Sequence, residues 1–420
     1  MNKFSPIAIS LSPNTQYDDV AAAFRALFII GNWRTGANIH KAKVWLQKYL
    51  GNKNIFLFNS GRSALYCLLM SLGIKKDDQV IIQAFTCAAV PEPVIWLGAK
   101  PVYADIDDSL NIDYKSLEQL INEKTKAIIV QHTFGIPAQI EKIKYIAQKH
   151  KLIFIEDCSH SLGGSYRGHK LGTIADAAIF SFGRDKVISC VFGGAAVINT
   201  RDKTVIRSMR EIYSGLQVPG RIWIIRQLLH PILFFFILPL YNISIGKILI
   251  VTFQKLKILS KPVEKKELAA EKPTDFPAKL PDALAFLLLN QFKKLDKFNA
   301  ARVWAALIYR RLMKNQQNII LPVSIEGSIY LRFNVLVDKR DSLLYYLKSK
   351  KILAGNWYHN VIDPEGVDYS AFAFKKGTLK MAEKAARQSL NLPTYYGLTD
   401  YDIKKIVDLI SEYENKSSYR

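Results

Sequence analysis

The sequence contains few cysteines and no pattern that would join them. Only four of its 420 residues are cysteines, and no two form a Cys-x-x-Cys pair. Cysteines this far apart exclude a disulfide framework and a structural zinc site of the usual ligand spacing. We therefore expect a reducing compartment and no metal cofactor. The four cysteines are Cys67, Cys87, Cys158 and Cys190.

An export signal, internal repeats and a nucleic-acid-binding module are also missing from the sequence. The first residues lack the apolar stretch of a signal peptide, so we expect a cytoplasmic protein. No internal repeat or low-complexity tract is visible. Without a zinc knuckle or a basic-aromatic module, nucleic acid is not an expected partner.

Acidic residues are the scarce charge. The chain has 36 Asp and Glu against 58 Lys and Arg, a net charge of +22. This balance favours anionic partners, such as phosphorylated metabolites or an anionic membrane. Because 49% of the residues are hydrophobic, the chain can bury a sizeable core. Its length predicts a large domain with a smaller companion.

Short apolar runs alternate with helical patterns between Ile55 and Asn199. Continuous apolar strands separated by helices are typical of βαβ units, in which helices cover both faces of a mostly parallel sheet. The sequence therefore predicts a large α/β domain. The strand-like runs are IFLF, VIIQAF, PVYADI, AIIVQH, LIFIED, AAIFSF and AAVIN.

The first motif with chemical content follows the first of these runs. A short strand passes through Ser60 and Gly61 into a helix. Glycine lets a phosphate approach the backbone, and the Ser63 and Ala64 amides are predicted donors at the positive end of the helix dipole. Arg62 could add a charged clamp. An ordinary helix start capped by Ser60 is an equal alternative.

The second motif is a buried strand that ends in Glu156 and Asp157, with His160 three residues later. This is the edge at which α/β folds bind ligands. Asp157 is placed to pair with a protonated pyridine nitrogen, and His160 to face the ring or its oxygen. The same residues argue against a Ser/His/Asp triad, since neighbours within four positions cannot place nucleophile, base and orienting group in series.

The third motif runs from Phe180 and Ser181 to Lys186, ahead of the Gly193-Gly194 pair. A lysine just beyond a strand end suits a Schiff-base enzyme, because its amine must reach an aldehyde while a carboxylate holds the pyridinium. Considered alone, a lysine such as Lys186 is more often a charged residue on the protein surface. The three motifs occur in the order of predicted phosphate site, Asp-x-x-His and Ser-x-x-x-x-Lys, and this order favours Lys186 as a Schiff-base lysine.

Together these motifs resemble the DegT/StrS family of sugar aminotransferases, which are fold-type-I pyridoxal-phosphate enzymes. The resemblance implies a large domain with a mostly parallel seven-stranded sheet and a smaller C-terminal α+β domain. It also spans nearly the whole chain. The matching segments are Asn59–Gly61, Ala64-Leu65, Gly98–Asp107, Glu156-Asp157, Gly163-Gly164, Gly168, Ser181-Phe182, Lys186, Gly193-Gly194, Tyr330–Phe333 and Asn391–Thr394.

The resemblance assigns a role to each motif around pyridoxal 5′-phosphate. It implies Lys186 for the covalent link, Asp157 for the pyridine nitrogen and His160 for the ring oxygen. Ser181, with Arg62 and Ser63 beside Gly61, is implied for the phosphate.

Three positions depart from the family pattern. Arg62 replaces a threonine, and Cys87 replaces the aromatic residue that stacks on the cofactor, so Phe85 is our candidate for that ring. The family segment that reaches the neighbouring subunit's cofactor is replaced around Asp275–Lys279, where Lys279 is a candidate phosphate contact.

The activity implied is transfer of an amino group, with glutamate the expected donor, to a keto-sugar on a nucleotide or lipid diphosphate, for surface polysaccharide or glycan synthesis. The family also implies a homodimer. Some relatives carry histidine at the lysine position and dehydrate sugars, and Lys186 favours transamination over that alternative. A non-catalytic, membrane-associated scaffold or regulator on the same fold is the second alternative.

The sequence predicts two domains, residues 1–217 and 271–420, which are separated by an apolar and basic insertion, residues 218–270. Within it, residues 227–246 contain no charged side chain, and Lys and Arg flank this run. We expect peripheral contact with the inner face of the membrane through residues 221–257, centred on Phe234–Phe236. A dimer interface or a lid over the site is an equal alternative. Pro231 and Pro239 are predicted to break the run.

Overall fold

The computed structural model describes residues 6–28, 32–260, 263 and 266–418. Its strands are β1 (Ile7–Ala8), β2 (Ile55–Phe58), β3 (Gln79–Gln83), β4 (Thr86–Cys87), β5 (Lys100–Ala104), β6 (Thr125–Gln131), β7 (Ile153–Asp157), β8 (Ser165–Tyr166), β9 (His169–Lys170), β10 (Ala177–Ser181), β11 (Gly194–Ile198), β12 (Ile319–Ile320), β13 (Phe333–Val337), β14 (Ile352–Leu353), β15 (Ile362–Asp363) and β16 (Ser389–Leu392). Its α-helices are α1 (Tyr17–Phe28), α2 (Ala37–Leu50), α3 (Gly61–Ser71), α4 (Pro91–Trp96), α5 (Tyr114–Gln119), α6 (Ile140–Lys149), α7 (Lys203–Gly215), α8 (Arg221–Ile237), α9 (Ile245–Lys255), α10 (Asp282–Phe292), α11 (Leu295–Met313), α12 (Arg340–Ser349), α13 (Lys380–Gln388) and α14 (Asp400–Ser418).

Each of the seven apolar runs forms one strand of a seven-stranded sheet, in the order β2-β11-β10-β7-β6-β3-β5. Only β11 runs antiparallel to its neighbours in this sheet, and the other pairings are parallel. The fold-class prediction is confirmed. Parallel strands meet at one edge through their carboxyl ends, so the residues that follow β7 and β10 are brought together.

Helices cover both faces of the sheet. On one face α3 packs with α4 and α7, and on the other α2 packs with α10, which also contacts α1. The central strands are buried on both faces, which is why their sequences are continuously apolar instead of alternating.

The predicted smaller α+β domain is also present. Strands β12, β13 and β16 form an antiparallel sheet, and α11, α12 and α14 pack around it. Side chains from Leu280 to Phe298 still belong to the core of the large domain, although the sequence prediction starts the small domain at residue 271. The N-terminal β1 returns to pair with β14.

The last helix begins with a reciprocal cap. The Asp402 amide donates to the Thr399 hydroxyl at 3.2 Å, and the Thr399 amide donates to the Asp402 carboxylate at 3.0 Å. This reciprocal arrangement is a capping box, which satisfies two amides that the helix itself leaves without partners.

The insertion folds into α8, a 3₁₀ segment (Leu238–Ile243) and α9. Contrary to the prediction, Pro231 lies inside α8 and does not end it, so the helix accepts the loss of one backbone hydrogen bond. The second proline, Pro239, lies in the 3₁₀ segment that follows α8. Residues 221–243 are long and apolar enough to cross a membrane, but nearly half of this stretch is buried within the protein.

Phe234, at the centre of the predicted membrane contact, also points inward. It is buried and contacts the His230 ring at 4.1 Å, whereas Phe236 is 59% exposed. The membrane prediction therefore has to rest on Phe236 and its exposed neighbours.

Candidate active site

A cavity of about 330 Å³ lies at the carboxyl ends of β7 and β10, beside the start of α3. Six of the predicted site residues line it together: Gly61, Arg62, Asp157, His160, Ser181 and Lys186. The topology has thus collected groups from three separate motifs.

The start of α3 forms the narrow wall of the cavity. A side-chain carbon on Gly61 would lie 3.1 Å from the Ser181 Cβ, and one on Gly194 would lie 2.4 Å from the Ser60 carbonyl carbon. Glycine at both positions therefore allows β10, β11 and α3 to approach closely.

The predicted amide donors of this wall are not available. The Ser63 amide donates to the Ser60 hydroxyl and the Ala64 amide to the Ser60 carbonyl, both at 3.1 Å. Ser60 thus caps α3 as an ordinary helix start, and Ser63 is completely buried. Gly61 and the Ser181 hydroxyl remain as the candidate contacts for an anion.

Arg62 is engaged by two buried carboxylates. Its Nη1 lies 3.1 Å from Glu92 Oε2 and also pairs with Glu267. Burial raises the pKa of the Glu92 carboxyl to about 7, against the opposing effect of Arg62. The guanidinium charge is therefore partly compensated before any phosphate binds, and its role as a phosphate clamp stays a prediction.

Asp157 ends β7 and is 3% exposed. Its Oδ1 accepts a hydrogen bond from the Ser159 amide at 2.9 Å. Both neighbouring strands fix it, because it pairs in register with Gln131 and Ile179. A carboxylate held this firmly can orient a protonated ring nitrogen.

His160 is buried beside two aromatic rings. The centroid of its ring lies 5.9 Å from that of Phe134 and 6.3 Å from that of Tyr358, and the rings are nearly parallel. Burial, with Lys186 and Arg332 nearby, holds the pKa of this imidazole well below its usual range. Because Nδ1 accepts from the Phe134 amide at 3.3 Å, the neutral ring carries its proton on Nε2.

Lys186 extends from the loop after β10 into the cavity. Burial lowers the pKa of its amine, although Cys87 and Asp157 oppose the shift. A lowered pKa increases the fraction of neutral amine, which is the nucleophilic form.

The backbone of this lysine is held by residues distant in the sequence. Asn14 donates to the Lys186 carbonyl at 2.6 Å and to the Val187 carbonyl at 3.2 Å. Arg302, fully buried, donates to the same Val187 carbonyl at 2.6 Å and to Asn14 at 2.9 Å. Burial lowers the pKa of the Arg302 guanidinium to about 9.

The residues present fit pyridoxal phosphate. The cavity combines a partly desolvated amine, a fixed carboxylate and a neutral imidazole donor beside a glycine-containing helix start. The amine can react with the aldehyde, and the carboxylate can pair with the ring nitrogen. The imidazole can donate to the ring oxygen, and the helix start can bind the phosphate.

The profile of the DegT/DnrJ/EryC1/StrS aminotransferase family matches residues 15–222 and 250–411. The chain belongs to this family. It is therefore a pyridoxal-phosphate-dependent sugar aminotransferase, as the sequence motifs predict. The gap in the match, residues 223–249, falls within the insertion.

Individual relatives of this aminotransferase cover most of its length. A pleiotropic regulatory protein of Geobacillus stearothermophilus is 27% identical over 401 residues, 94% of this chain and 92% of the relative. A GDP-perosamine synthase of Caulobacter vibrioides is 27% identical over 376 residues, 87% and 86% of the two chains. The structure of PseC from Helicobacter pylori, an aminotransferase in pseudoaminic acid biosynthesis, superposes with a TM-score of 0.75 at 24% identity, over 97% and 98% of the chains.

Two candidate contacts lie away from the cavity of this aminotransferase. Phe85 is completely buried and does not line the cavity, and its ring meets those of Phe134 and Tyr358 edge to face. Tyr358 itself lines the cavity. Lys279 points elsewhere, donating to the Ser214 carbonyl at 3.0 Å.

Sequence reasoning missed the cation that faces Lys186 from the small domain. Arg332 lines the cavity, is 5% exposed and lies 3.6 Å from the centroid of the Trp357 ring. The available signal was a charged residue within the apolar run at the start of β13. Trp357 and Tyr358 gave no comparable signal.

Proposed function

We propose that this aminotransferase moves an amino group from glutamate to a keto-sugar carried on a nucleotide or lipid diphosphate. The observation that carries the proposal is that the Lys186 amine, the Asp157 carboxylate and the His160 imidazole line one cavity. The relative named GDP-perosamine synthase supports a nucleotide-linked sugar as one substrate class.

Bound pyridoxal phosphate supplies an aldehyde and an electron-withdrawing ring. Around it, Asp157 keeps a proton on the pyridine nitrogen, and the His160 Nε2–H donates to the ring oxygen. Gly61 and Ser181 contact the phosphate, with Arg62 beside them. Each group acts through a position that the fold has already fixed, so little reorganisation is needed.

Lys186 carries the proton transfers. With pyridoxal phosphate bound, the Lys186 amine would hold it, and an arriving amino donor would set the amine free. The freed neutral amine would then act as the base that takes a proton from the donor's α-carbon, and in its protonated form as the acid that gives a proton back. It would play the same two roles in the opposite order with the keto-sugar. The lowered pKa of this amine suits it to act as a base.

Arg332 anchors the amino donor. It is a buried cation at the cavity, stacked on Trp357, and burial lowers the pKa of its guanidinium against the opposing effect of Asp185 and Asp363. A donor carboxylate would pair with its guanidinium in the bidentate geometry that arginine favours.

A substrate panel tests the proposal. Purified protein with added pyridoxal phosphate is incubated with glutamate and keto-sugars linked to nucleotides or to a lipid diphosphate. We expect 2-oxoglutarate and one amino-sugar in equal amounts. If the protein binds the cofactor but aminates no sugar in the panel, the scaffold or regulator alternative is favoured instead.

A further inference from the structure

The insertion has one face fixed on the protein. Ile224, Leu228 and Ile232 of α8 are buried in the core of the large domain, where α8 packs on α1 and α10. Withdrawing α8 to cross a membrane would expose these side chains to water and open that core. The helix therefore lies along the protein surface.

The opposite face of the insertion is apolar and exposed. On α9, Ile245, Ile248 and Val251 are 49%, 65% and 51% exposed. Their spacing of three residues places them on one side of the helix. A helix face in water normally carries polar side chains, so this one is suited to being covered. We call it the α8–α9 surface: Phe236, Ile243, Ile245, Ile248, Val251 and Leu256.

The charges of the insertion indicate what covers this surface. Residues 212–260 contain five Lys and Arg and no Asp or Glu. A second copy of the same surface would bring like charges together, whereas an anionic leaflet complements them. Exposed aliphatic and aromatic side chains beside cations are the composition of helices that lie in a membrane interface.

The insertion also contacts the cavity wall. Trp223 of α8 meets Phe192 edge to face at 5.6 Å, and Phe192 lines the cavity. Arg184, another lining residue, donates to the Ser260 carbonyl at 2.7 Å, and the Ser260 hydroxyl in turn donates to Gln227 of α8 at 2.9 Å. A membrane that covers the α8–α9 surface would therefore lie close to the cavity.

We propose that the α8–α9 surface docks on an anionic membrane leaflet and presents the cavity to a keto-sugar carried on a lipid diphosphate. The docking stands on the exposed face and its charges. The substrate class rests on the proposed function.

Vesicle flotation of the full chain tests the docking. We compare phosphatidylcholine vesicles with vesicles that also contain phosphatidylglycerol. The wild type should float with the anionic vesicles. The variant Phe236→Ser, Ile245→Ser, Ile248→Ser should lose about tenfold or more in apparent affinity at every salt concentration. Lys247→Gln, Lys255→Gln, Lys257→Gln should lose affinity mainly in dilute salt, where screening is weak.

A matched control changes exposed aromatic residues elsewhere. Tyr145→Ser with Tyr345→Ser, both distant in sequence from the insertion, should float like the wild type. Wild-type protein that stays with the unbound fraction would overturn the docking, and so would a triple serine variant of the α8–α9 surface (Phe236→Ser, Ile245→Ser, Ile248→Ser) that floats normally. A change of this triple variant from dimer to monomer would also overturn it, because the surface would then be a contact between copies.

The amino-donor half-reaction separates this proposal from the proposed function. Glutamate should change the absorbance of cofactor-loaded protein equally in the wild type and the serine variant, since this step needs no membrane. Loss of that change in both proteins contradicts the proposed function and leaves the docking result standing. Faster turnover of a nucleotide-linked than of a vesicle-borne lipid-linked keto-sugar would overturn the substrate class alone.

Discussion

Burial sets the protonation of the groups around the cavity. It lowers the pKa of the Lys186 amine and of the His160 imidazole, and it raises the pKa of the Glu92 carboxyl. Each shift favours the neutral form, because a low-dielectric wall penalises charge. The neutral amine serves as nucleophile and base, and the neutral imidazole serves as a donor.

Replacing Arg332 with glutamine should weaken binding of the amino donor. The variant loses the bidentate charge pair with the donor carboxylate, so we expect the KM for glutamate to rise by roughly 10- to 100-fold. The KM for the keto-sugar should change little. Steady-state kinetics with each substrate varied in turn makes the measurement, and a rise confined to the keto-sugar would assign Arg332 to the sugar.

Glu92→Gln should flatten part of the pH dependence of stability. The pKa of Glu92 is raised from 4.5 to about 7, so in this range the folded protein holds a proton that the unfolded chain has released. Stability from this group is therefore full below about pH 4.5 and is lost as the pH rises through about 7. As the pH rises across this range, the free energy of unfolding of the variant should increase relative to that of the wild type by at most about 3 kcal/mol.

Denaturant titrations at a series of pH values measure this difference. A difference between wild type and Glu92→Gln that stays constant with pH would contradict the raised pKa.

The seven strands of the large sheet were predictable because each is a short, continuous apolar run. This pattern arises when both faces of a strand are buried. Lys186, Asp157 and His160 were predictable as a set because each lies at a strand end or within a few residues after it. Arg332 was not, since nothing local to β13 indicates which loop of the large domain it will face.

The packing of the insertion, like the position of Arg332, could not be predicted from the sequence. Its apolar and basic composition was evident, but a run that is apolar all round does not tell which side chains face inward. The structure separates buried Phe234 from exposed Phe236 and carries α8 through Pro231. Both outcomes depend on packing against α1 and α10, which are distant in the sequence.

Asn14 should act as a positioning residue for the lysine loop, which is the loop after β10 that carries Lys186. It precedes α1 and donates to the carbonyls of Lys186 and Val187. Asn14→Ala should cost about 1–3 kcal/mol of unfolding free energy, because a buried carbonyl loses a partner. It should also lower kcat more than it raises either KM.

Asn290→Ala is the matched control for this change. Asn290 also donates two hydrogen bonds, to Asp18 and Asp19, but not to the lysine loop. Its removal should leave kcat unchanged. Equal effects of the two variants on kcat would show that Asn14 is merely structural.

On the scale of the whole molecule, we expect a homodimer, as the family resemblance implies and as the commonest symmetric assembly. Sedimentation equilibrium should give a mass of twice the 47.7 kDa chain. The serine variant of the α8–α9 surface should sediment identically, because that surface is assigned to a membrane. A fully active monomer would contradict the expected assembly.

Lys186 is predicted to form the one covalent link between the protein and its cofactor. The protein is loaded with pyridoxal phosphate, reduced with borohydride, digested and mapped by peptide mass, in parallel with Lys186→Ala and with Lys279→Ala as a control. We expect one pyridoxyl adduct, on Lys186, in the wild type and the control, and none in Lys186→Ala. An adduct that persists in Lys186→Ala, or that maps to another lysine in the wild type, would contradict the role of Lys186.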